Sequence, residues 1–288
     1  MVLADLPAST TGPDAAVVRV LSYNVRSLRD DREALARVIR ACAPDVVCVQ
    51  EAPRFFRWRK AAAWLARETG LVYATGGATA AGPMILTSLR AHVERSEDIL
   101  LPRVPGLHRR GFATAVLRFG GGHRDPEGTG GTESTGGAES TGGTGGTGGT
   151  GGTGAIRLGV ISCHLSLAAA ERYDQAGMLL DRIAALGVPY AVAAGDINEQ
   201  PDGRAFRRIA GTLRDGWATE PWGSEATFDP GDPRRRIDAL FATDGIEIIG
   251  CGVPSGLPGV DDADLRAATD HLPVLAALRL PRTPASSA

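Results

Sequence analysis

The sequence predicts an α/β protein in which two β-sheets pack face to face and helices cover the outside. Two stretches of the chain, one on each side of a Gly/Thr-rich run, alternate β-rich segments with amphipathic helical segments and end in further strands. The chain has 288 residues, 43% of them hydrophobic, which is enough to bury one large core. We therefore expect a single α/β domain interrupted by an insert.

The first stretch begins with two β-rich runs separated by residues with helical apolar spacing, and a second helix and three short strands follow. The predicted elements are strand 16–25, helix 31–43, strand 44–52, helix 55–69 ended by Gly70, and strands 71–75, 83–89 and 91–101.

The second stretch repeats this order. A long amphipathic helix lies between two apolar strands, and a short helix and three strands come after it. Strand 110–119 flanks the run on its N-terminal side, and the predicted elements after the run are strand 155–165, helix 167–187, strand 188–198, helix 203–211, and strands 235–244, 246–253 and 271–280.

Residues 120–154 contain almost only Gly, Thr and other polar residues and have little apolar surface to bury, so we predict a flexible, disordered loop. The flanking strands alternate like half-buried strands, and the simplest topology pairs them as an antiparallel hairpin. The domain then runs over residues 17–280, because the cost of closing a loop grows slowly with its length. Residues 1–16 and 281–288 are predicted to be flexible ends.

The net charge of −2 and the pI near 6.2 predict no general attraction to nucleic acid or to anionic membranes. The four cysteines form no C-x-x-C pair and lie mostly in apolar runs, which indicates buried, reduced thiols. The sequence shows neither a signal-peptide pattern nor a transmembrane segment of about 20 apolar residues. We expect a soluble, cytoplasmic monomer.

Polar residues stand where the predicted strands end, which is where α/β folds usually place their sites. Glu51 could be a solvent-exposed carboxylate or a hard oxygen ligand for Mg²⁺. Asn24 could satisfy the local backbone or stand beside such a metal. Asp196 and Asn198, two apart in extended chain, would share one face, although an Asx-rich turn explains this stretch equally well.

The C-terminal pair Asp270–His271 cannot form a simple salt bridge, because adjacent side chains of an extended segment face opposite ways. Asp238 lies inside a predicted strand, where a carboxylate is costly unless it is paired. Asp238 is therefore the natural group to orient His271 as a general base. His164 follows an alternating strand and could be structural or catalytic.

Together these side chains make a set of oxygen donors and imidazoles, which suits Mg²⁺ or Mn²⁺ and a phosphoryl group better than zinc. In-line attack of water on phosphorus needs a base, donors for the non-bridging oxygens and help for the leaving oxygen. The set offers all three.

Seven motifs in order, "SYNV", "PDVVCVQE", "GPMILTSL", "ISCHL", "AAGDIN", "RRRIDALF" and "ATDHLPV", resemble the endonuclease/exonuclease/phosphatase superfamily. The resemblance covers residues 17–280 without the insert. It implies a four-layered α/β sandwich with mixed sheets and metal-dependent phosphoester hydrolysis. Gly82–Pro83 and "NVRSLRDD" depart from family patterns, and the second departure weakens a DNA-repair role.

The resemblance also implies roles for these residues. Glu51, Asn24 and Asp270 resemble the metal site, and Asp196 with Asn198 resembles the pair that aligns the water and the phosphate. His271, supported by Asp238, resembles the general base, with Asp196 as a rival base. His164 resembles the histidine that hydrogen-bonds the phosphate.

The substrate is left open by the sequence. Arg110, Arg235 and Arg236 are candidate substrate-binding residues, and Arg54 to Lys60 combine arginine with aromatic residues or form a solvated helix face with partly buried rings. We expect an Mg²⁺- or Mn²⁺-dependent phosphodiesterase or nuclease-like enzyme acting on nucleic acid, a phospholipid headgroup or a small phosphodiester. The alternatives are a phosphomonoesterase of phosphoinositides or nucleotides and a non-catalytic phosphate-binding module.

Overall fold

A computed structural model describes residues 3–120 and 155–282 of the chain, so the predicted loop falls almost entirely outside the described residues. The strands are β1 (Thr10–Thr11), β2 (Ala15–Asn24), β3 (Val46–Gln50), β4 (Val72–Gly76), β5 (Met84–Thr87), β6 (Ala91–Leu100), β7 (Gly111–Phe119), β8 (Ile156–His164), β9 (Tyr190–Asp196), β10 (Arg214–Asp215), β11 (Asp238–Ala242), β12 (Glu247–Gly252) and β13 (Val274–Pro281). The α-helices are α1 (Arg32–Cys42), α2 (Trp58–Thr69), α3 (Ala169–Ala185), α4 (Arg204–Ala210), α5 (Gly216–Thr219) and α6 (Asp262–Ala268).

The described strands form two mixed sheets. The first has the order β12-β13-β2-β3-β5-β4, with β1 paired to β2, and the second has the order β10-β11-β9-β8-β7-β6. Each sheet contains one parallel pair, β2 with β3 and β8 with β9, and the other pairings are antiparallel. A parallel pair needs a crossover connection, which α1 and α3 supply.

Three apolar clusters define four layers. The first lies between the sheets, where Val20 and Cys48 of one sheet pack with Val160 and Val192 of the other. The second joins the outer face of the first sheet to α1 and α2, and the third joins the outer face of the second sheet to α3 and α4. The predicted four-layered sandwich is confirmed.

Local sequence accounts for the helix ends. Asp31 caps α1, because its Oδ1 accepts the backbone N–H groups of Glu33 and Ala34, each at 3.0 Å. Gly70 ends α2 in the left-handed conformation at φ 70°, as predicted.

The start of α2 differs from the prediction of a helix from residue 55. Arg57 adopts a left-handed backbone at φ 61°, so the helix begins only at Trp58. Phe55 and Phe56 precede it in a turn and are 81% and 90% exposed. The interpretation of these two rings as partly buried is therefore wrong, although Trp58 and Trp64 are half-buried.

The chain before β2 packs on the domain, whereas its composition predicted a flexible end. Leu3 and Leu6 are buried. Arg19 donates from Nη2 to the Leu6 carbonyl at 2.6 Å and from Nε to the Pro7 carbonyl at 2.9 Å.

Across the described residues, no helix is both long and apolar enough to cross a membrane.

β7 and β8, the strands on either side of the Gly/Thr-rich run, are antiparallel neighbours from Phe112 opposite Cys163 to Phe119 opposite Ile156. The predicted hairpin pairing is therefore present in the structure. The strand ends that the run connects are adjacent.

We expect deletion of residues 124–151 to change the melting temperature by less than about 3 °C, because an eight-residue connection, 120–123 joined to 152–155, still closes this hairpin and loop-closure cost depends weakly on length. Differential scanning calorimetry of the full chain and the deletion variant, with turnover measured on the same samples, provides the check. A fall in either would show that the segment contributes to structure or function.

Candidate active site

The carboxyl ends of the two parallel strand pairs meet between the sheets. Asn24 ends β2 and Glu51 follows β3, while His164 ends β8 and Asp196 ends β9. His164 and Asp196 are register partners. Parallel neighbours end at the same sheet edge, so each sheet brings two of these side chains to one place.

Asn24 links the two sheets. Its Oδ1 accepts the backbone N–H of Arg26 at 3.1 Å, which turns the amide nitrogen toward the second sheet. Nδ2 donates to Asp196 Oδ2 at 3.1 Å and lies 3.4 Å from Glu51 Oε1 and 3.4 Å from His271 Nε2. The amide thus holds carboxylates of both sheets beside one imidazole.

Asp196 and Asn198 both line the same cleft, but the extended-chain alternation used to predict this is wrong. β9 ends at Asp196, and Asn198 has a left-handed backbone at φ 56°. The Asn198 N–H donates to Asp196 Oδ1 at 2.9 Å, and Asn198 Nδ2 donates to the Leu165 carbonyl at 2.9 Å. The Asx turn and the polar site are therefore the same structure.

Asp238 lies beside His271. Its Oδ2 is 2.9 Å from His271 Nδ1, and both side chains are buried. Asp238 is opposite Asp196 across the antiparallel β11–β9 pair. With Nδ1 directed at Asp238, the other ring nitrogen of His271 faces Asp196, at 3.8 Å from Oδ2.

Burial and neighbouring charges shift the pKa values of these groups. Burial lowers the pKa of His271, but the charge and hydrogen bond of Asp238 outweigh it and raise the pKa to about 9. Burial, then the charge of Asp238, raises the pKa of Asp196 to about 7. Burial, then the charge of Arg110, lowers the pKa of His164 well below its usual value, which favours a neutral ring.

Asp270 is placed differently from the other candidates. Its Oδ2 lies 3.3 Å from Arg26 Nε, and its Oδ1 accepts from Thr269 Oγ1 at 3.3 Å. It does not line the cleft that contains Glu51.

The three candidate substrate-binding arginines lie in different environments. Arg110 and Arg235 line the cleft. Arg110 Nε is buried and has no hydrogen-bond partner in the described part of the chain. Arg236 does not line the cleft, since its guanidinium binds both carboxylate oxygens of buried Asp215 at 2.8 Å.

The site opens into a cleft of about 670 Å³. Its floor carries His164, Asp196 and His271, and its walls include residues for which sequence patterns gave no role. The Phe228 ring meets the His271 ring edge-on, with centroids 5.0 Å apart, and Arg235 lies over Phe228 at 4.5 Å. No motif marks Phe228. Other wall residues include His108, which no sequence pattern marked, and Arg54, which belongs to the run of arginines and aromatic residues from Arg54 to Lys60.

Asp196, Asp238 and His271 offer ligand atoms within 4.8 Å of one another, so this buried group could hold a metal ion. Asp238 Oδ1 is buried without a hydrogen-bond partner among the described residues, which is costly for a carboxylate unless a cation compensates it. The carboxylates, amide and imidazoles of the site therefore fit a divalent cation.

The four-layered α/β sandwich and the polar cluster at its strand ends place the protein in the class of phosphoesterase-like folds. A family model described as "Endonuclease/Exonuclease/phosphatase family" matches residues 21–271, and the chain belongs to that family. Among curated protein sequences, none is a match for the chain.

Solved structures show that the chain shares its fold with other proteins. The chain is similar to an endonuclease/exonuclease/phosphatase from Bacteroides vulgatus, with 18% identity, a TM-score of 0.64 and coverage of 92% of this chain and 99% of that one. It is similar to a mannosyl-6-phosphatase from Bacteroides thetaiotaomicron, with 17% identity, a TM-score of 0.64 and coverage of 91% and 99%. It is also similar to TDP2 from C. elegans, with 17% identity, a TM-score of 0.58 and coverage of 91% and 75%.

Proposed function

We propose that the protein is a divalent-metal-dependent hydrolase of phosphoester bonds, with phosphodiesters as the first substrate class. One observation carries this proposal: a buried carboxylate, Asp196, contacts Asn24, Asn198 and His164 and lies beside the paired His271 at the floor of an open cleft. Family membership supports phosphoester chemistry at that floor.

In this proposal, His271 or Asp196 takes the proton from the attacking water. Asp238 holds the His271 ring so that Nε2 faces the cleft floor. His164 and Arg110 line the cleft and are placed to donate hydrogen bonds to phosphoryl oxygens, where charge develops during attack. Asn198 braces the turn that holds Asp196.

The two rival bases are distinguished by their pH profiles. The acidic limb of kcat/KM against pH reports the base of the free enzyme. We expect this limb to disappear from the residual activity of the variant that lacks the base, either Asp196→Asn or His271→Gln, and to persist in the other. If both variants keep the acidic limb, neither Asp196 nor His271 is the general base.

Glu51 would hold Mg²⁺ or Mn²⁺, with the Asn24 amide beside it and Asp270 as a more distant contributor, because Glu51 Oε1 lies 3.4 Å from Asn24 Nδ2 while Asp270 contacts Arg26. Such an ion would neutralise charge on phosphoryl oxygens and help the leaving oxygen depart. The buried Asp196–Asp238–His271 group is the other place for an ion. Because Asp238 and His271 are hydrogen-bonded to each other there, we place it second.

Two alternative functions are compatible with the same site. A mannosyl-6-phosphatase among the structures of this fold favours a phosphomonoesterase as the second candidate. A non-catalytic binding module is the third, and the complete set of polar side chains at the cleft floor speaks against it.

A reporter screen with Mg²⁺ and Mn²⁺ tests the proposal. We expect faster hydrolysis of bis-p-nitrophenyl phosphate than of p-nitrophenyl phosphate, followed by cleavage of one of single-stranded DNA, RNA, phosphoinositides or sphingomyelin. Release of inorganic phosphate from monoesters alone would support the phosphomonoesterase. Absence of turnover on all of them would favour the binding module.

A further inference from the structure

A second basic surface borders the candidate active-site cleft. It is a groove of about 410 Å³ whose lining includes Arg103 and Arg109, which the cleft does not contact. The groove and the cleft share four lining residues, Arg54, Phe55, Ala81 and His108. The groove is therefore a continuation of the cleft.

The groove lies where the β6–β7 hairpin loop meets the turn before β5. Gly111, at the base of the hairpin, approaches that turn so closely that a Cβ would lie 2.4 Å from the carbonyl oxygens of both Ala80 and Ile99. Arg54 donates from Nη1 to the Ala81 carbonyl at 3.2 Å, which ties the loop after β3 to the same turn. These contacts fix the groove walls relative to the catalytic floor.

Arg103 and Arg109 of the groove have no carboxylate partner in the described part of the chain. Within residues 3–120 and 155–282, neither Arg103 nor Arg109 forms a salt bridge with a carboxylate. Two arginines near the cleft behave differently, since Arg172 binds Glu199 and Arg236 binds Asp215. The positive charge of the groove is therefore available to an anionic ligand.

We propose that this groove binds a second phosphoryl group of the substrate whose reacting phosphate occupies the cleft floor. This inference rests on the proposed phosphoesterase function. Arginine binds phosphate through charge-assisted, often bidentate hydrogen bonds. Arg103 and Arg109 are exposed, so their guanidinium groups are accessible to a phosphate. The carboxylates Glu51 and Asp196 line the cleft, whereas the described residues that line the groove include arginines and no carboxylate.

The part of the substrate between its two phosphates contacts Phe55. This ring lines both the cleft and the groove and is 81% exposed. An exposed aromatic ring at that junction suits a sugar or nucleoside carrying phosphates on both sides, because such rings pack on sugar and base faces. A nucleotide and a phosphorylated sugar share this chemistry, and the experiment separates them.

Binding of matched mono- and bisphosphates tests the proposal without requiring turnover. Isothermal titration calorimetry of the full chain, in metal-free buffer of low ionic strength, compares thymidine 3′,5′-bisphosphate with thymidine 5′-monophosphate and fructose 1,6-bisphosphate with fructose 6-phosphate. We expect at least one bisphosphate to bind about tenfold tighter than its monophosphate, or about 1.4 kcal/mol. The pair that shows this identifies the source of the second phosphate.

Variants locate the second phosphate. Arg103→Ala with Arg109→Ala is expected to reduce the bisphosphate advantage to less than about twofold while leaving monophosphate affinity within about twofold. Both residues are exposed, so the double variant keeps the fold. Arg207→Ala removes an arginine on α4 that is also exposed and lies outside cleft and groove, and this variant is expected to keep the full advantage.

Equal affinity for the mono- and bisphosphates, no detectable binding of either bisphosphate, or an advantage that survives in the double variant would overturn the second subsite. Absence of phosphoester hydrolysis would contradict the proposed function without contradicting the second phosphate subsite. If no phosphoester is hydrolysed with added metal but the bisphosphate advantage depends on Arg103 and Arg109, the subsite stands and the hydrolase does not.

Discussion

Replacing Asp196 with asparagine is expected to lower kcat/KM on a phosphoester reporter by about 10³-fold and to change the melting temperature by less than about 3 °C. Asparagine has the same shape and keeps an oxygen that can accept the Asn198 N–H, and Asn24 Nδ2, which donates to Asp196 Oδ2, retains Glu51 Oε1 as an acceptor at 3.4 Å. Burial already raises the pKa of Asp196 to about 7, so a neutral side chain removes a costly charge rather than a stabilising one.

Stopped assays and calorimetry on one preparation of the variant check this result. Asp244→Asn is the matched control, because it makes the same chemical change at a carboxylate that is 95% exposed. The control should retain kcat/KM within about twofold. An Asp196→Asn enzyme within tenfold of the original would contradict a chemical role for this carboxylate.

The same assays and calorimetry on His271→Gln test the role of the imidazole. Glutamine keeps an N–H group for Asp238, whereas alanine would leave the Asp238 carboxylate buried without its imidazole partner. We expect a loss of turnover comparable to that of Asp196→Asn in the glutamine variant, and additional instability in the alanine variant.

Replacing Glu199 with alanine is expected to lower the free energy of unfolding by about 3 kcal/mol. Glu199 Oε1 accepts from Arg172 Nη2 at 2.9 Å, and Oε2 accepts the backbone N–H groups of Ala205 and Phe206 at 2.6 and 3.0 Å. The side chain thus joins α3, the first turn of α4 and the loop that follows Asn198. Its removal leaves a buried arginine unpaired.

Urea unfolding of the two proteins measures this difference. Glu247→Ala is the matched control, because its partner Arg279 is as exposed as Glu247 itself and such pairs contribute about 0 to 1 kcal/mol. Equal effects of the two alanine substitutions would contradict the structural role of Glu199.

The same carboxylate makes part of the stability pH-dependent. Burial raises the pKa of Glu199, but the Phe206 N–H and then Arg172 outweigh it, so the folded pKa lies below the usual value. Its contribution is therefore complete above the unfolded pKa of glutamate and is lost as pH falls through the lower folded pKa. We expect Glu199→Gln to be least stable relative to the original protein near neutral pH, with the gap narrowing on acidification.

Much of this fold follows from sequence patterns. Apolar strands, amphipathic helices and the hairpin across the insert were predictable because each depends on local periodicity and chain connectivity. The strand-end positions of Asn24, Glu51, His164 and Asp196 were predictable because parallel strands place their carboxyl ends at one sheet edge. The pairing of Asp238 with His271 followed from the cost of burying an unpaired acid.

Other features depend on tertiary contacts that local patterns do not encode. The left-handed backbone at Arg57 exposes Phe55 and Phe56, although their spacing suits a helix. Arg236 sits in a basic run, yet it pairs with Asp215, which is distant in sequence. The groove beside the cleft needs two loops to meet, and nothing in either loop alone predicts the other.

The most direct test of the central claim is the metal dependence of phosphodiester hydrolysis at this cleft. Turnover of bis-p-nitrophenyl phosphate is measured with Mg²⁺, after EDTA, and after Mg²⁺ is restored, for the original protein and for Asp196→Asn. We predict activity that EDTA abolishes and Mg²⁺ restores, and that is about 10³-fold lower in the variant when Mg²⁺ is present. Full turnover in metal-free solution, or equal turnover by the variant, would contradict metal-assisted hydrolysis at this site.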